Sequence, residues 1–126
     1  GPAVSMASAK GLPRNTARGL LYPYRSPARR EAVYHFVKDI PMRETHPSWQ
    51  TLSDIESKLP SLACKPILIQ WGAKDFCFND HFLDRWKEYY SNAQIDYYED
   101  AGHYVIEDET ERVTSRIEAF LNRLAQ

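Results

Sequence analysis

Two short stretches of this chain carry side chains suited to proton transfer, each beside a glycine that can end a strand: Trp71-Gly72-Ala73-Lys74-Asp75 and Asp100-Ala101-Gly102-His103. An aspartate hydrogen-bonded to a histidine fixes the imidazole tautomer and stabilises the imidazolium, leaving the histidine free to act as a general base. Asp75 and His103 stand 28 positions apart, so only the fold can bring them together. They would meet if each followed the carboxyl end of one of two adjacent parallel strands. Such strands run ~4.8 Å apart, and ligands of open parallel sheets bind beyond those ends.

The elements that must do this positioning can be read around the two loops. Ile67-Leu68-Ile69-Gln70-Trp71 is a short unbroken apolar run, which predicts a strand from about Pro66 to Trp71 buried on both faces of a parallel sheet. Asn79 or Asp80 can cap a helix to about Tyr90 with Phe82, Trp86, Tyr89 and Tyr90 as its apolar stripe. Ile95 and Tyr97 predict a second strand. Asp108 and Glu111 resemble a capping box for a last helix, whose apolar face is Val113, Ile117, Phe120, Leu121 and Leu124. Strand, helix, strand, helix is the order of a parallel crossover unit.

Upstream, Ser26-Pro27 reads as an N-cap and first helical proline, opening a helix to about Lys38 with Val33, Phe36 and Val37 on one face. Asp39-Ile40-Pro41 ends it. A further helix runs from about Ser48 to Leu59, with Leu52, Ile55 and Leu59 sharing a face, and Pro60 stops it. Residues 1–17 show no periodicity; they are unassigned, a scar or disordered, and the opening Gly1-Pro2-Ala3-Val4 reads as a protease-cleavage scar or an internal cut. Leu20, Leu21, Tyr22 and Tyr24 form an apolar patch in want of a partner.

Composition bounds the function. At 126 residues, 43% hydrophobic and 13% aromatic, the chain has the length and apolar content for one core. A net charge of −1 argues against binding nucleic acid through bulk charge. The charge is uneven, at +5 over residues 1–50 and −6 over 51–126, and all eight prolines lie at or before Pro66. No apolar run of about 18 residues predicts a membrane span. Cys64 and Cys77 flank the first strand, too far apart for a disulfide, so free thiols and a cytoplasmic compartment are expected.

The stretch from Lys65 to Asp75, followed by a helix, a short strand and Asp100-Ala101-Gly102-His103-Tyr104-Val105-Ile106-Glu107-Asp108, resembles the last two strand–loop units of an α/β-hydrolase. Pro23-Tyr24, Phe36-Val37-Lys38-Asp39-Ile40-Pro41 and His46-Pro47-Ser48 resemble the end of the cap in the haloalkane-dehalogenase-like branch, which includes the β-lactone decarboxylases of bacterial olefin biosynthesis. The resemblance implies an α/β fold represented by its C-terminal portion: cap-derived helices over 18–59 and a β-α-β-α end of the core over 60–126, an incomplete sheet on its own. It implies that Asp75 is the triad acid and His103 the catalytic histidine, activating water against an ester intermediate. No Gly-x-Ser-x-Gly elbow or equivalent occurs, so the nucleophile would lie outside this chain, and turnover by the chain alone is not expected. The implied partners are a small apolar substrate and a companion chain or N-terminal half; no cofactor or metal is called for.

Plainer roles stand beside these. Asp75 fits a turn-former capping the next helix, and His103 an ordinary loop histidine. Cys77 and His81 are spaced i, i+4 but lack a second ligand pair. Tyr24 and Trp49 are candidate substrate-facing aromatics and equally candidate core residues. The acidic run Glu107 to Glu111 is accounted for by the dipole of the last helix. The rival function is a non-catalytic domain that binds a ligand or self-associates through an exposed sheet edge. An interaction module unrelated to hydrolases would require the two loops to be far apart.

Overall fold

The computed structural model describes residues 2–125; Gly1, assigned to the cleavage scar, and Gln126, the end of the last unit, lie outside them. The described residues form helices around a two-stranded parallel sheet, compatible with part of an α/β fold. Seven α-helices occur among them: α1 (Pro2–Ala7), α2 (Arg14–Leu21), α3 (Pro27–Lys38), α4 (Trp49–Lys58), α5 (Asp80–Tyr89), α6 (Val105–Asp108) and α7 (Thr110–Leu124). The strands are β1 (Leu68–Gly72) and β2 (Gln94–Tyr98), and single 3-10 turns follow α2 and α4.

Local chemistry sets several boundaries. The Ser26 hydroxyl accepts from the Arg29 amide, with Pro27 as the first helical residue of α3. The Asn79 side chain caps α5 by accepting from the His81 amide. β1 and β2 pair in register from Leu68 with Gln94 to Gly72 with Tyr98, with α5 as the crossover. The buried centre gathers where β2 ends: Tyr98, Ala101 and Val113 are each at most 2% exposed, and Val105 packs against them.

β1 departs from expectation. Leu68 to Trp71 are only half-buried, because β2 pairs with one edge and no further strand joins the sheet among the described residues. The helices likewise leave apolar residues exposed. Val33, Phe36 and Val37 of α3, Leu52 and Ile55 of α4, and Ile117, Leu121 and Leu124 of α7 are all exposed, so the periodic faces exist but lack a covering layer.

Residues 2–17 also depart from the unassigned or disordered reading, since 2–7 and 14–21 are helical and Ser8, Ala9 and Lys10 are tied to the far end of the chain. The Asp108 carboxylate accepts from the Ser8 hydroxyl (2.5 Å), the Ala9 amide (2.9 Å), the Lys10 amide (3.2 Å) and the Gly102 amide (2.7 Å). Lys10 Nζ meets Glu109 Oε1 at 2.7 Å. Asp108 is therefore not the capping box that its spacing to Glu111 predicts. It belongs to the short helix α6, and Glu109 precedes α7 without a side-chain cap. Nor does the helix dipole fully account for the acidic run, because two of its members hold the N-terminal segment.

Burial alone would raise the Asp108 carboxyl, but the hydrogen bonds from Ser8, Gly102, Ala9 and Lys10 outweigh it and hold it below the usual carboxylate range. A group whose folded pKa is depressed binds its proton less readily when folded than when unfolded. Its stabilisation is therefore complete above the unfolded value of about 3.9 and drains away as pH falls through the lower folded value. Denaturant midpoints of the wild-type chain and Asp108→Asn, measured against pH, are expected to differ above about pH 4 and to converge below it.

Candidate active site

The two loops are joined first through their backbones. Past the last paired residues, the Ala73 amide donates to the Tyr98 carbonyl at 2.9 Å and the Lys74 amide to the Ala101 carbonyl at 2.8 Å. The approach is so close that a Cβ on Gly72 would collide with the Gly102 and Ala101 carbonyl oxygens. Glycine at 72 thus serves proximity. The φ of Gly72 is not positive, Gly11 being the one described residue with a positive φ. Lys74 Nζ adds an exposed ion pair to Asp100 at 2.7 Å, which lowers the Asp100 carboxyl.

This junction brings Asp75 and His103 into contact, with His103 Nδ1 2.9 Å from Asp75 Oδ2. An ionised carboxylate only accepts, so Nδ1 carries the proton and donates, leaving the Nε2 lone pair for a substrate or water. The other oxygen, Oδ1, accepts the amides of Cys77 (2.7 Å) and Phe78 (2.9 Å). The turn-forming and pairing roles of Asp75 therefore coexist, one on each oxygen. The helix cap belongs to Asn79. The Asp75 side chain is nearly buried at 11% exposure while that of His103 keeps 32%, so the carboxylate is enclosed and the imidazole remains reachable.

Aromatic rings bound the imidazole, and the sequence reading had not singled them out. The ring centroids of Phe78, Tyr104 and Phe76 lie 5.5, 5.9 and 6.0 Å from that of His103. The alternation Phe76-Cys77-Phe78 directly after Asp75 was the available signal. Beside His103 a cavity of about 290 Å³ is lined by Leu20, His103, Tyr104, Val105, Ile106 and Glu107. Leu20 is the member of the upstream apolar patch that finds its place here. Tyr24 lies exposed in the 3-10 turn after α2 and Trp49 half-buried at the start of α4; neither lines this cavity.

Other residues with reactive or ligating side chains lie away from this pair or stay unpaired with it. Cys64 and Cys77 are free and exposed. His46 bridges the Lys38 carbonyl and the Ser48 amide, tying the end of α3 to the start of α4. Among the described residues there is no group of three or more His, Cys, Asp and Glu side chains able to hold a metal, and no helix long and apolar enough to cross a membrane.

A parallel β-α-β unit with an Asp–His pair on the loops at its carboxyl ends is the arrangement that the α/β-hydrolase resemblance implies. Sequence comparison narrows the class. The chain is 40% identical over 99 residues to a cis-3-alkyl-4-alkyloxetan-2-one decarboxylase of Shewanella oneidensis, covering 79% of this chain and 31% of that protein. It is 35% identical over 112 residues to a cis-3-alkyl-4-alkyloxetan-2-one decarboxylase of Xanthomonas campestris pv. campestris, covering 89% of this chain and 37% of the relative. No protein-family model matches. The chain is thus a sequence relative of β-lactone decarboxylases of the α/β-hydrolase family, and it spans about a third of the length of the curated relatives it matches.

Because the loop junction leaves no room for a side chain at position 72, Gly72→Ala is expected to cost about 1–3 kcal/mol, the usual range for overpacking. A fall in the urea midpoint, together with a weakened Asp75–His103 contact seen in the imidazole nitrogen chemical shifts, would register it.

Proposed function

We propose that this chain is the acid- and histidine-bearing part of a β-lactone decarboxylase of the α/β-hydrolase type, with the nucleophile supplied from outside it. The observation that carries the reading is the 2.9 Å Asp75–His103 contact at the ends of two paired parallel strands. Asp75 orients the ring through Nδ1, and Nε2 of His103 is the base. The names of the two relatives support a four-membered lactone bearing two alkyl groups as the substrate class. An apolar wall of Leu20, Val105 and Ile106 beside His103 suits such a substrate.

Decarboxylation of an oxetan-2-one ring expels the carbonyl carbon with the ring and carbonyl oxygens as CO2 and leaves an alkene. No water is consumed. Hydrolysis, in which His103 activates water against an ester intermediate, would instead yield a hydroxy acid, and the two outcomes are separable by product. The uncovered apolar faces of α3, α4 and α7 support a companion chain or N-terminal half as the covering partner. Two exposed free thiols support a reducing compartment such as the cytoplasm.

The test uses a complete enzyme containing this chain together with the part that supplies the nucleophile, given a dialkyl β-lactone and assayed for CO2, alkene and hydroxy acid. His103→Gln is expected to lower kcat by about 10²–10⁴-fold, the range for losing a general base. Turnover equal to wild type would overturn the assignment. If the chain alone forms a defined homodimer in light scattering and no companion restores turnover, the self-associating alternative replaces it.

A further inference from the structure

His103 sits in a loop, outside any helix or strand, yet the residues on both sides of it are clamped. On one side the Gly102 amide donates to Asp108 Oδ2 at 2.7 Å. On the other the Tyr104 amide donates to the Ala7 carbonyl at 2.7 Å. The two clamps are one structure, since Asp108 also accepts from the Ser8 hydroxyl and the Ala9 and Lys10 amides. Ala7 and Ser8 are buried beneath the loop. The contact with Asp75 fixes only one ring nitrogen; the direction of the Cα–Cβ bond is set by the backbone at 102–104, and that backbone is held by the strap.

We propose that Asp108, acting through the Ala7–Lys10 strap and the Gly102 amide, is a positioning residue for the His103 imidazole. Its importance rests on the catalytic reading of His103, but the geometry stands independently. Gly102 carries the same imprint. Its φ is not positive, so its conformation does not demand glycine. What excludes a side chain is the strap, since a Cβ there would lie 2.8 Å from the Ala7 carbonyl oxygen and 3.1 Å from the Ala9 nitrogen. A residue beside the histidine is therefore glycine because a segment about a hundred positions earlier in sequence crosses over it.

The experiment follows the downfield Nδ1–H resonance of His103 by proton NMR in the full 126-residue chain, with far-UV circular dichroism as the control for folding. Asp108→Ala is expected to abolish this signal or speed its exchange with water by roughly tenfold or more, as loss of a hydrogen bond to a charged group would; Gly102→Ala, which keeps the amide but drives a Cβ into the Ala7 carbonyl, is expected to do the same by displacing the strap. Lys10→Ala, which removes only the ion pair to Glu109 and keeps the amide donor, is expected to retain it. A strap that merely stabilised the fold would lower the melting temperature and leave the resonance in place. An unchanged resonance in either folded variant overturns the proposal, as does its absence from the wild-type chain; should Asp108→Ala fail to fold, Gly102→Ala decides. Full turnover by His103→Gln in the complete enzyme would instead remove the catalytic reading and leave the positioning result intact.

Discussion

The arrangement of the site depends on a backbone contact that admits no side chain. Parallel strands set their ends ~4.8 Å apart, and the loops leaving those ends start from that spacing. Here they are held together by the Ala73 amide on Tyr98 and the Lys74 amide on Ala101, with Gly72 against the carbonyls of Ala101 and Gly102. From that junction the chain needs three residues to reach Asp75 on one side and one to reach His103 on the other. A Cβ at 72 would collide with the Gly102 carbonyl oxygen and lie 2.7 Å from that of Ala101, so the loops would have to shift to admit it. The Asp–His pair is thus a consequence of close packing between two pieces of main chain, and the imidazole is only the last atom group in that chain of causes.

Local patterns made much of the fold readable. Ser26-Pro27, the Pro41 and Pro60 boundaries, the Asn79 cap and both strands fall within a few residues of their expected places because each is decided by neighbours in sequence. The Asp75–His103 contact could be anticipated because parallel pairing converts a 28-residue separation into adjacency at the sheet's end. Partners far along the chain were what periodicity could not supply. Asp108 and Glu111 have the spacing of a capping box, yet the Asp108 carboxylate is taken by four donors, three of which lie about a hundred residues away. The short polar segment around Ser8 carries no periodic signal because it works through two backbone amides, a carbonyl and one hydroxyl. Residues 1–17 therefore show no pattern in sequence, although Ala7 to Lys10 among them hold the loop that bears His103.

Burial was misjudged for a related reason. A continuous apolar run such as Ile67 to Trp71 indicates what a strand can bury against and cannot indicate whether the covering elements are present. With two strands in the sheet, most of β1 is half-covered. The amphipathic faces of α3, α4 and α7 are likewise correct in period and open to solvent. Two polar atoms are the contrasting case, Trp71 Nε1 and Tyr98 Oη being buried without a hydrogen-bond partner among the described residues. Burial pushes the Tyr98 hydroxyl up, and the Arg112 guanidinium stacked 4.8 Å over its ring only partly offsets this.

Asp75 shows why shaping a turn and holding a histidine need not compete for one residue. A carboxylate has two oxygens, and an orienting acid must itself be held still, or the histidine inherits its motion. Oδ1, bound to the Cys77 and Phe78 amides, fixes the side chain to the turn that forms it. Oδ2 then faces His103 without freedom to swing away. The bland account, an aspartate that shapes a turn, is in this geometry a precondition of the sharper one. The same logic extends to the histidine's own loop. There Asp108 holds the amide before it and the Ala7 carbonyl holds the amide after it, so the aspartate and the histidine are each anchored by main-chain hydrogen bonds before they are joined to one another.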